Sequence, residues 1–280
     1  GPLNATTRTR AWLAALELTP ERAGAVLGLP VERLLEASAI TDPVLGYGSL
    51  YFGPVLDDVV LHRHPFYPDA PPQSAHIPMI IGNTRDETLA FLGNDPANVG
   101  LTWESLPGRM TAAVMRVDIA PETVIAEYRR LYPDWSPDRV LIAASTAARS
   151  WRGAVIEAEA RAAQGSPAFV YQLDFPGTLA SGRSGAFHTA DIPLVFDNVE
   201  AAGSRVSGPD AQRVADRISD AFIAFARSGD PNHAGLPRWG PYDLARRETM
   251  VFDVAPHSEG DPRGAERRLF ARVPYIQPGT

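Results

Sequence analysis

The stretch Ile77-Pro78-Met79-Ile80-Ile81-Gly82-Asn83-Thr84-Arg85-Asp86-Glu87 opens as an unbroken apolar run and closes on a turn that carries two carboxylates. A run this short, continuous rather than alternating and stopped by Gly82-Asn83, has the pattern of a strand buried on both faces. A second run, Pro-Ala-Phe-Val-Tyr-Gln-Leu-Asp-Phe over residues 167–175, is aromatic and branched throughout. Between the two lie segments of helical pattern, among them 121–132 and the alanine-rich 154–164. Downstream, 209–227 is the best helix of the chain. Val214, Ile218, Phe222 and Phe225 fall on one face, and Ser228-Gly229-Asp230-Pro231 supplies a left-handed cap and a stop. Residues 249–254 read as one more strand. Strands separated by long helical stretches predict an α/β unit with a mixed, mostly parallel sheet flanked by helices.

Working outward, the first forty residues read as short helices: one through Trp12, Leu13, Leu16 and Leu18, a restart at Thr19-Pro20-Glu21, and another after Leu29-Pro30. Residues 46–64 suggest short extended pieces around a turn at Asp57-Asp58, and 65–72 form a proline-rich loop. No repeat and no Gly/Ser linker divides the chain, so residues 1–280 are expected to belong to one domain.

A hydrophobic share of 45% supports a substantial core, and 21% charged residues is ordinary for a globular chain. The net charge of −7 argues against nucleic acid or an anionic membrane surface as partner, since both are held by clustered positive charge. All basic residues are arginine. With no cysteine there is no disulfide, thiolate nucleophile or cysteine-ligated zinc, a composition compatible with a reducing compartment or with export. No apolar run reaches the roughly 18–20 residues of a membrane-spanning helix, and Gly1-Pro2-Leu3-Asn4 has no leader-like pattern.

Two places could carry chemistry. In open α/β sheets functional groups collect beyond the carboxyl ends of strands, which is where Asp86 and Glu87 fall. The plain alternative is a solvated loop with an Arg85–Asp86 surface pair. Phe187-His188-Thr189-Ala190-Asp191 follows the second strand through the glycine-rich loop 177–185; alone, such a histidine is more often structural. Together they have the order of a hydrolytic triad, in which the acid fixes the tautomer of a histidine that takes a hydroxyl proton. The nucleophile is missing: no G-x-S-x-G pentapeptide and no early Gly-Gly-Gly segment occurs. Ser181 and Ser184 lie near His188 in sequence, but Gly182-Arg183-Ser184-Gly185 is not set between a strand and a helix.

These motifs resemble the type-B carboxylesterase and cholinesterase family, especially its bacterial p-nitrobenzyl-esterase branch. The acid motif of that family is a strand followed by G-x-x-x-D-E-G, matched by Gly82 to Glu87 with Thr88 in place of glycine, then Phe91-Leu92. The histidine motif, A-F-H-x-x-E-[IL]-P, is matched by Ala186-Phe187-His188-Thr189-Ala190-Asp191-Ile192-Pro193, with aspartate for glutamate. Further echoes are Pro54-Val55-Leu56-Asp57-Asp58, Phe225-Ala226-Arg227-Ser228-Gly229-Asp230-Pro231-Asn232, Trp239-Gly240-Pro241-Tyr242 and Met250-Val251-Phe252.

The resemblance implies the C-terminal half of an α/β-hydrolase fold acting on small carboxylic esters without a cofactor or metal. It implies Glu87 as the triad acid, His188 as the general base, Phe91 lining the substrate gorge and Asp191 as an acid near the histidine. Asp86 is the second candidate acid and otherwise a structural partner. Thr88 could reshape the acid loop, and at Thr146-Ala147 the usual aspartate is absent. The serine and oxyanion donors are expected from an upstream segment or companion chain, leaving this chain inactive alone. Three other readings stay open: a metal site on His62, His64 and His76 with Asp57 and Asp58; a non-catalytic binding or adhesion module; and an isolated structural fragment.

Overall fold

The computed structural model describes residues 2–275. Its contacts form two compact units that part within the proline-rich loop, the first running to Tyr67 and the second spanning Pro68–Tyr275.

The first unit holds helix α1 (Pro2–Ala15), a 3₁₀ segment (Pro20–Gly28) and helix α2 (Val31–Ser38). Helix α1 ends earlier than the pattern through Leu18 suggests, because Glu17 adopts a positive φ and breaks it. Buried Asp42 accepts a 2.6 Å bond from Arg8 Nε and further bonds from the backbone N–H groups of Val44, Leu45 and Tyr51. The extended pieces expected over 46–64 do not become strands: among the described residues, only the bridge Thr41–Ser49 touches this stretch. The turn at Asp57-Asp58 is present, with Asp57 Oδ1 accepting from three successive N–H groups.

The second unit is built on strand β1 (Met79–Thr84) and strand β2 (Ala168–Leu173), the two apolar runs of the sequence, which pair in parallel. Two residue pairs, β3 (Gly177–Thr178) and β4 (Ser184–Gly185), close the glycine-rich loop into a small hairpin. Strand β5 (Glu248–Phe252) joins β2 in parallel and strand β6 (His257–Gly260) adds antiparallel, giving the order β1-β2-β5-β6. The sheet is therefore mixed and mostly parallel, as the strand–helix alternation predicts. Strand β2, flanked on both sides, is almost wholly buried. Strand β1, paired on one side only among the described residues, is half-buried along its first residues. Strand β6 escapes sequence reading because all four of its residues are exposed, so no apolar alternation marks it.

Helices α3 (Pro121–Leu131), α4 (Pro137–Thr146), α5 (Arg152–Ala163), α6 (Ala211–Ser228) and α7 (Gly264–Phe270) flank this sheet or one another. Val214 and Ile218 of α6 are buried, while Phe222 and Phe225 meet Tyr171 and Phe169 edge-on. Gly229 caps α6 at φ 77°, a conformation that costs glycine little, and it faces Pro78 closely enough that a β-carbon would collide. Helices α4 and α5 form one continuous rod interrupted by a π-helical turn, Ala147–Trp151, that the sequence did not announce.

A buried tetrad fixes α7 against α3. Tyr128 and Tyr132 each donate a 2.7 Å bond to Glu266, and Arg263 pairs with the same carboxylate at 2.7 Å. Burial pushes Glu266 upward, but the Arg263 charge and the phenol bonds outweigh it and hold the carboxyl below its usual range.

Candidate active site

Because β1 and β2 run parallel, the loops that leave their carboxyl ends open at the same edge of the sheet. One loop carries Asp86 and Glu87. The other begins with the β3–β4 hairpin and continues into His188. Asp86 joins the two loops: its N–H donates to the Ala186 carbonyl at 2.8 Å, and its carboxylate accepts from the Ala186 N–H at 3.3 Å. The His188 N–H in turn donates to the Glu87 carbonyl at 3.3 Å. Backbone and side chain together hold the acid and the histidine in one register.

Within that frame Glu87 Oε2 lies 2.7 Å from His188 Nδ1. The other oxygen, Oε1, accepts from the Thr84 N–H at 2.9 Å and from Asn83 Nδ2 at 3.3 Å. Glu87 is buried, whereas the His188 side chain is about half exposed. A carboxylate only accepts, so Nδ1 carries the proton it donates to Glu87 and Nε2 is left with the lone pair. An imidazole fixed in that tautomer on a half-exposed side chain is equipped to take a proton from a hydroxyl.

The other expected residues take distinct places. The Phe91 ring centroid is 5.1 Å from that of His188, and 54% of the residue is exposed, so it walls the histidine. Asp86 faces Ala186 and Arg139 (3.6 Å), and its bonding gives it the structural place rather than the one beside the imidazole. The Arg85–Asp86 surface pair of the plain alternative is not what these residues make. Arg85 reaches Asp174 beyond the end of β2 at 2.7 Å, because the strand pairing puts that carboxylate closer. Asp191 accepts a 2.8 Å bond from the Tyr171 hydroxyl, which ties the end of the histidine loop to β2. Ser184 donates its hydroxyl to the Gly177 carbonyl within the hairpin.

Thr88, the departure from glycine, lies in a buried hydroxyl cluster. Its Oγ1 donates to the Ile142 carbonyl at 2.9 Å and lies 2.7 Å from Ser145 Oγ and 3.0 Å from Thr146 Oγ1. The Thr88 N–H donates to Thr146 Oγ1 at 3.2 Å. The acid loop is thereby tied to α4 through this cluster and the Asp86–Arg139 pair, with Ala147 next in sequence to Thr146.

Sequence reading missed three residues here. Tyr171 pairs across the ladder with Gly82, where its ring occupies the space a side chain would need. Burial, together with the charges of Asp191 and Glu87, pushes its phenol well above the usual range, so it stays a hydrogen-bond donor. Arg205 stacks on Phe187 at 4.6 Å and donates to Thr189 Oγ1, bracing a backbone that turns through positive φ at Thr189. Arg149, within the π-helical turn, sets its guanidinium carbon 5.7 Å from the Phe91 ring centroid. Arg149 and Arg205 sit in no motif the sequence offered, and Tyr171, although within the second apolar run, meets Gly82 and Asp191 across gaps that only folding closes.

Among the described residues no group of three or more His, Asp or Glu side chains could hold a metal ion. His62 Nδ1 instead lies 2.9 Å from the Asp58 carbonyl, and His64 Nδ1 accepts from the Phe66 N–H. No helix among the described residues is long and apolar enough to cross a membrane.

Residues 26–269 match the model of the carboxylesterase family. The chain is 26% identical over 231 residues to the para-nitrobenzyl esterase of Bacillus subtilis, covering 79% of this chain and 44% of that protein. It is 27% identical over 259 residues to the phenmedipham hydrolase of Pseudarthrobacter oxydans, covering 90% and 49%. Among solved structures, a carboxylesterase of Geobacillus stearothermophilus superposes with a TM-score of 0.74 at 31% identity, over 96% of this chain and 55% of the other. The α/β-hydrolase class expected from the sequence is borne out by these neighbours. The chain spans about half the length of the curated relatives it matches.

Proposed function

This chain belongs to the carboxylesterase family, and from that membership we propose that it supplies the acid and the base of a serine ester hydrolase, Glu87 and His188. The observation that carries the reading is the 2.7 Å contact between Glu87 Oε2 and His188 Nδ1, with the carboxylate fixed at its other oxygen by Thr84 and Asn83.

In this mechanism a serine from an upstream segment or a companion chain completes the triad. His188 Nε2 takes the hydroxyl proton as the serine oxygen attacks the ester carbonyl. The imidazolium, steadied by Glu87, then gives that proton to the departing alcohol, leaving an acyl-enzyme. Water, deprotonated by the same nitrogen, releases the acid and regenerates the serine. Oxyanion donors come with the serine segment. Two observations support an additional segment: strand β1 is paired on one side only among the described residues, and the curated relatives are about twice as long. On this reading both compact units belong to one carboxylesterase domain. A non-catalytic binding module is disfavoured because it has no use for a buried carboxylate held against a half-exposed histidine.

The test uses the complete protein and a fluorophosphonate probe read by intact mass. The wild type should take up one probe on a serine outside these residues, and His188→Ala should lose both labelling and the acylation burst. A His188→Ala protein that still gave a burst would overturn the assignment, as would ester turnover by this chain alone that vanished in Ser184→Ala.

A further inference from the structure

Glu87 sits between two anchors. On one side Asp86 is bound to Ala186 of the histidine loop, and on the other Thr88 is bound to the last turn of α4. Thr88, Ser145 and Thr146 are fully buried, and the neighbouring Leu89, Ala144 and Ala147 are buried and apolar. Three hydroxyls in such a place cost folding free energy unless each is paired. Here every hydroxyl proton has an acceptor. Thr88 Oγ1 gives its own to the Ile142 carbonyl at 2.9 Å, and Ser145 Oγ gives its own to the Leu141 carbonyl at 2.6 Å. That leaves Thr146 to donate to Thr88 Oγ1 at 3.0 Å while accepting from the Thr88 N–H at 3.2 Å, so the two threonines exchange a pair of bonds. Thr88 has φ −72° and ψ −10°, a backbone that asks for no glycine. Its side chain, not its conformation, is what this position uses.

We propose that Thr88 is a positioning residue for the triad: through its paired bonds with Thr146 it holds the Glu87 carboxylate in line with His188. The inference rests on the ester-hydrolase reading above and adds a residue to it. Hydrogen bonds are directional, whereas apolar contacts let one surface slip over another. The bonds between Thr88 and Thr146 therefore fix where the peptide after Glu87 lies relative to a rigid helix. Thr84 and Asn83 hold Oε1 at the far end of the Glu87 side chain, and the two anchors hold the backbone from which that side chain starts. A contact of 2.7 Å to the imidazole needs both ends in place, because small displacements at an acid–base pair cost rate steeply.

The experiment compares variants of the complete protein in the hydrolysis of a 4-nitrophenyl ester. Thr88→Val keeps the shape and loses the hydroxyl; kcat should fall by roughly tenfold or more with KM within about twofold, because orientation and not binding is lost. Thr88→Ser, which keeps the hydroxyl, should recover most of that rate. Thr146→Val removes the acceptor of the Thr88 N–H without touching the acid loop; it should resemble Thr88→Val and carries the comparison should that variant not fold. A residue needed for folding alone would lower stability and leave the kcat of the folded protein intact. The decisive measurement places Thr88→Val in a Glu87→Gln background, where its cost should shrink to less than about threefold because the carboxylate it positions is already gone. An unchanged kcat in folded Thr88→Val, or an equal loss with and without Glu87, would refute the proposal while leaving the ester-hydrolase reading standing. A wild type that hydrolyses no such ester and takes up no fluorophosphonate would overturn that reading, and this inference with it.

Discussion

Replacing Glu87 by glutamine tests the orientation of the histidine with almost no change of shape. Oε1 of Glu87 accepts two donors, the Thr84 N–H at 2.9 Å and Asn83 Nδ2 at 3.3 Å, while Oε2 faces His188 Nδ1 at 2.7 Å. The amide of glutamine has one oxygen and one NH₂, and the oxygen is required where the two donors converge. The NH₂ therefore points at His188, Nδ1 becomes an acceptor, and the ring proton moves to Nε2, where it cannot receive one from a serine. The opposite flip restores the working tautomer but sets the NH₂ against two donors. Leaving those donors unmatched costs about 1–3 kcal/mol each, so about 2–6 kcal/mol separates the productive orientation from the resting one. At about 1.4 kcal/mol per tenfold, kcat should fall between about thirtyfold and about ten-thousandfold, the larger figure resembling what tautomer reversal costs in other serine hydrolases. The assay is stopped-flow acylation of the complete protein with a 4-nitrophenyl ester, with the melting temperature as the check on folding. An acylation rate within tenfold of wild type in a normally folded Glu87→Gln protein would refute the reasoning.

Two further outcomes follow from the same contacts. Gly82→Ala should destabilise the complete protein by about 1–3 kcal/mol through overpacking, read as a lower urea midpoint, because the new methyl enters the space of the Tyr171 ring across the ladder. Pairing it with Tyr171→Leu should recover part of that loss, and an unchanged midpoint in the single variant would contradict the packing. Asp42 is held at a pKa of about 2: burial pushes the carboxyl up, but Arg8 and the N–H groups of Leu45, Tyr51 and Val44 outweigh it. A folded pKa below the unfolded one means the stabilisation is fully present above about pH 4 and is lost as pH falls through about 2. The stability gap between wild type and Asp42→Asn should therefore be constant near neutrality, at about 3–5 kcal/mol for a broken buried pair, and shrink across that acid window. Denaturation curves at several pH values measure it, and a gap that widened in acid would refute the sign.

How much could be read without the fold depends on the range of each interaction. Strands β1, β2 and β5 and helix α6 were legible because burial on both faces, or on one helical face, writes itself into neighbouring residues: Met79-Ile80-Ile81, the run from Ala168, and Val214, Ile218, Phe222 and Phe225. The cap at Gly229 was legible because a left-handed residue before a proline is a local signature. Strand β6 and the π-helical turn left no such mark, the first being polar and exposed, the second a change of winding within an ordinary helical composition.

The sequence by itself determined an α/β chain with an acid beyond one strand and a histidine beyond the next, and it carried the motifs of a family. It determined these because each rests on residue types within a few positions of one another. Only the tertiary structure decided which carboxylate meets the imidazole. Asp86 and Glu87 are adjacent and chemically alike, yet the parallel pairing of β1 with β2 turns Asp86 toward Ala186 and Glu87 toward His188. It also decided that Arg85 would join Asp174, that Thr88 would bind the hydroxyls of α4, and that Arg149 would come to stand over Phe91. Each of these partners is distant along the chain, and a hydrogen bond or ion pair of that kind is chosen by distance in space, a quantity that exists only once the sheet has aligned its loops.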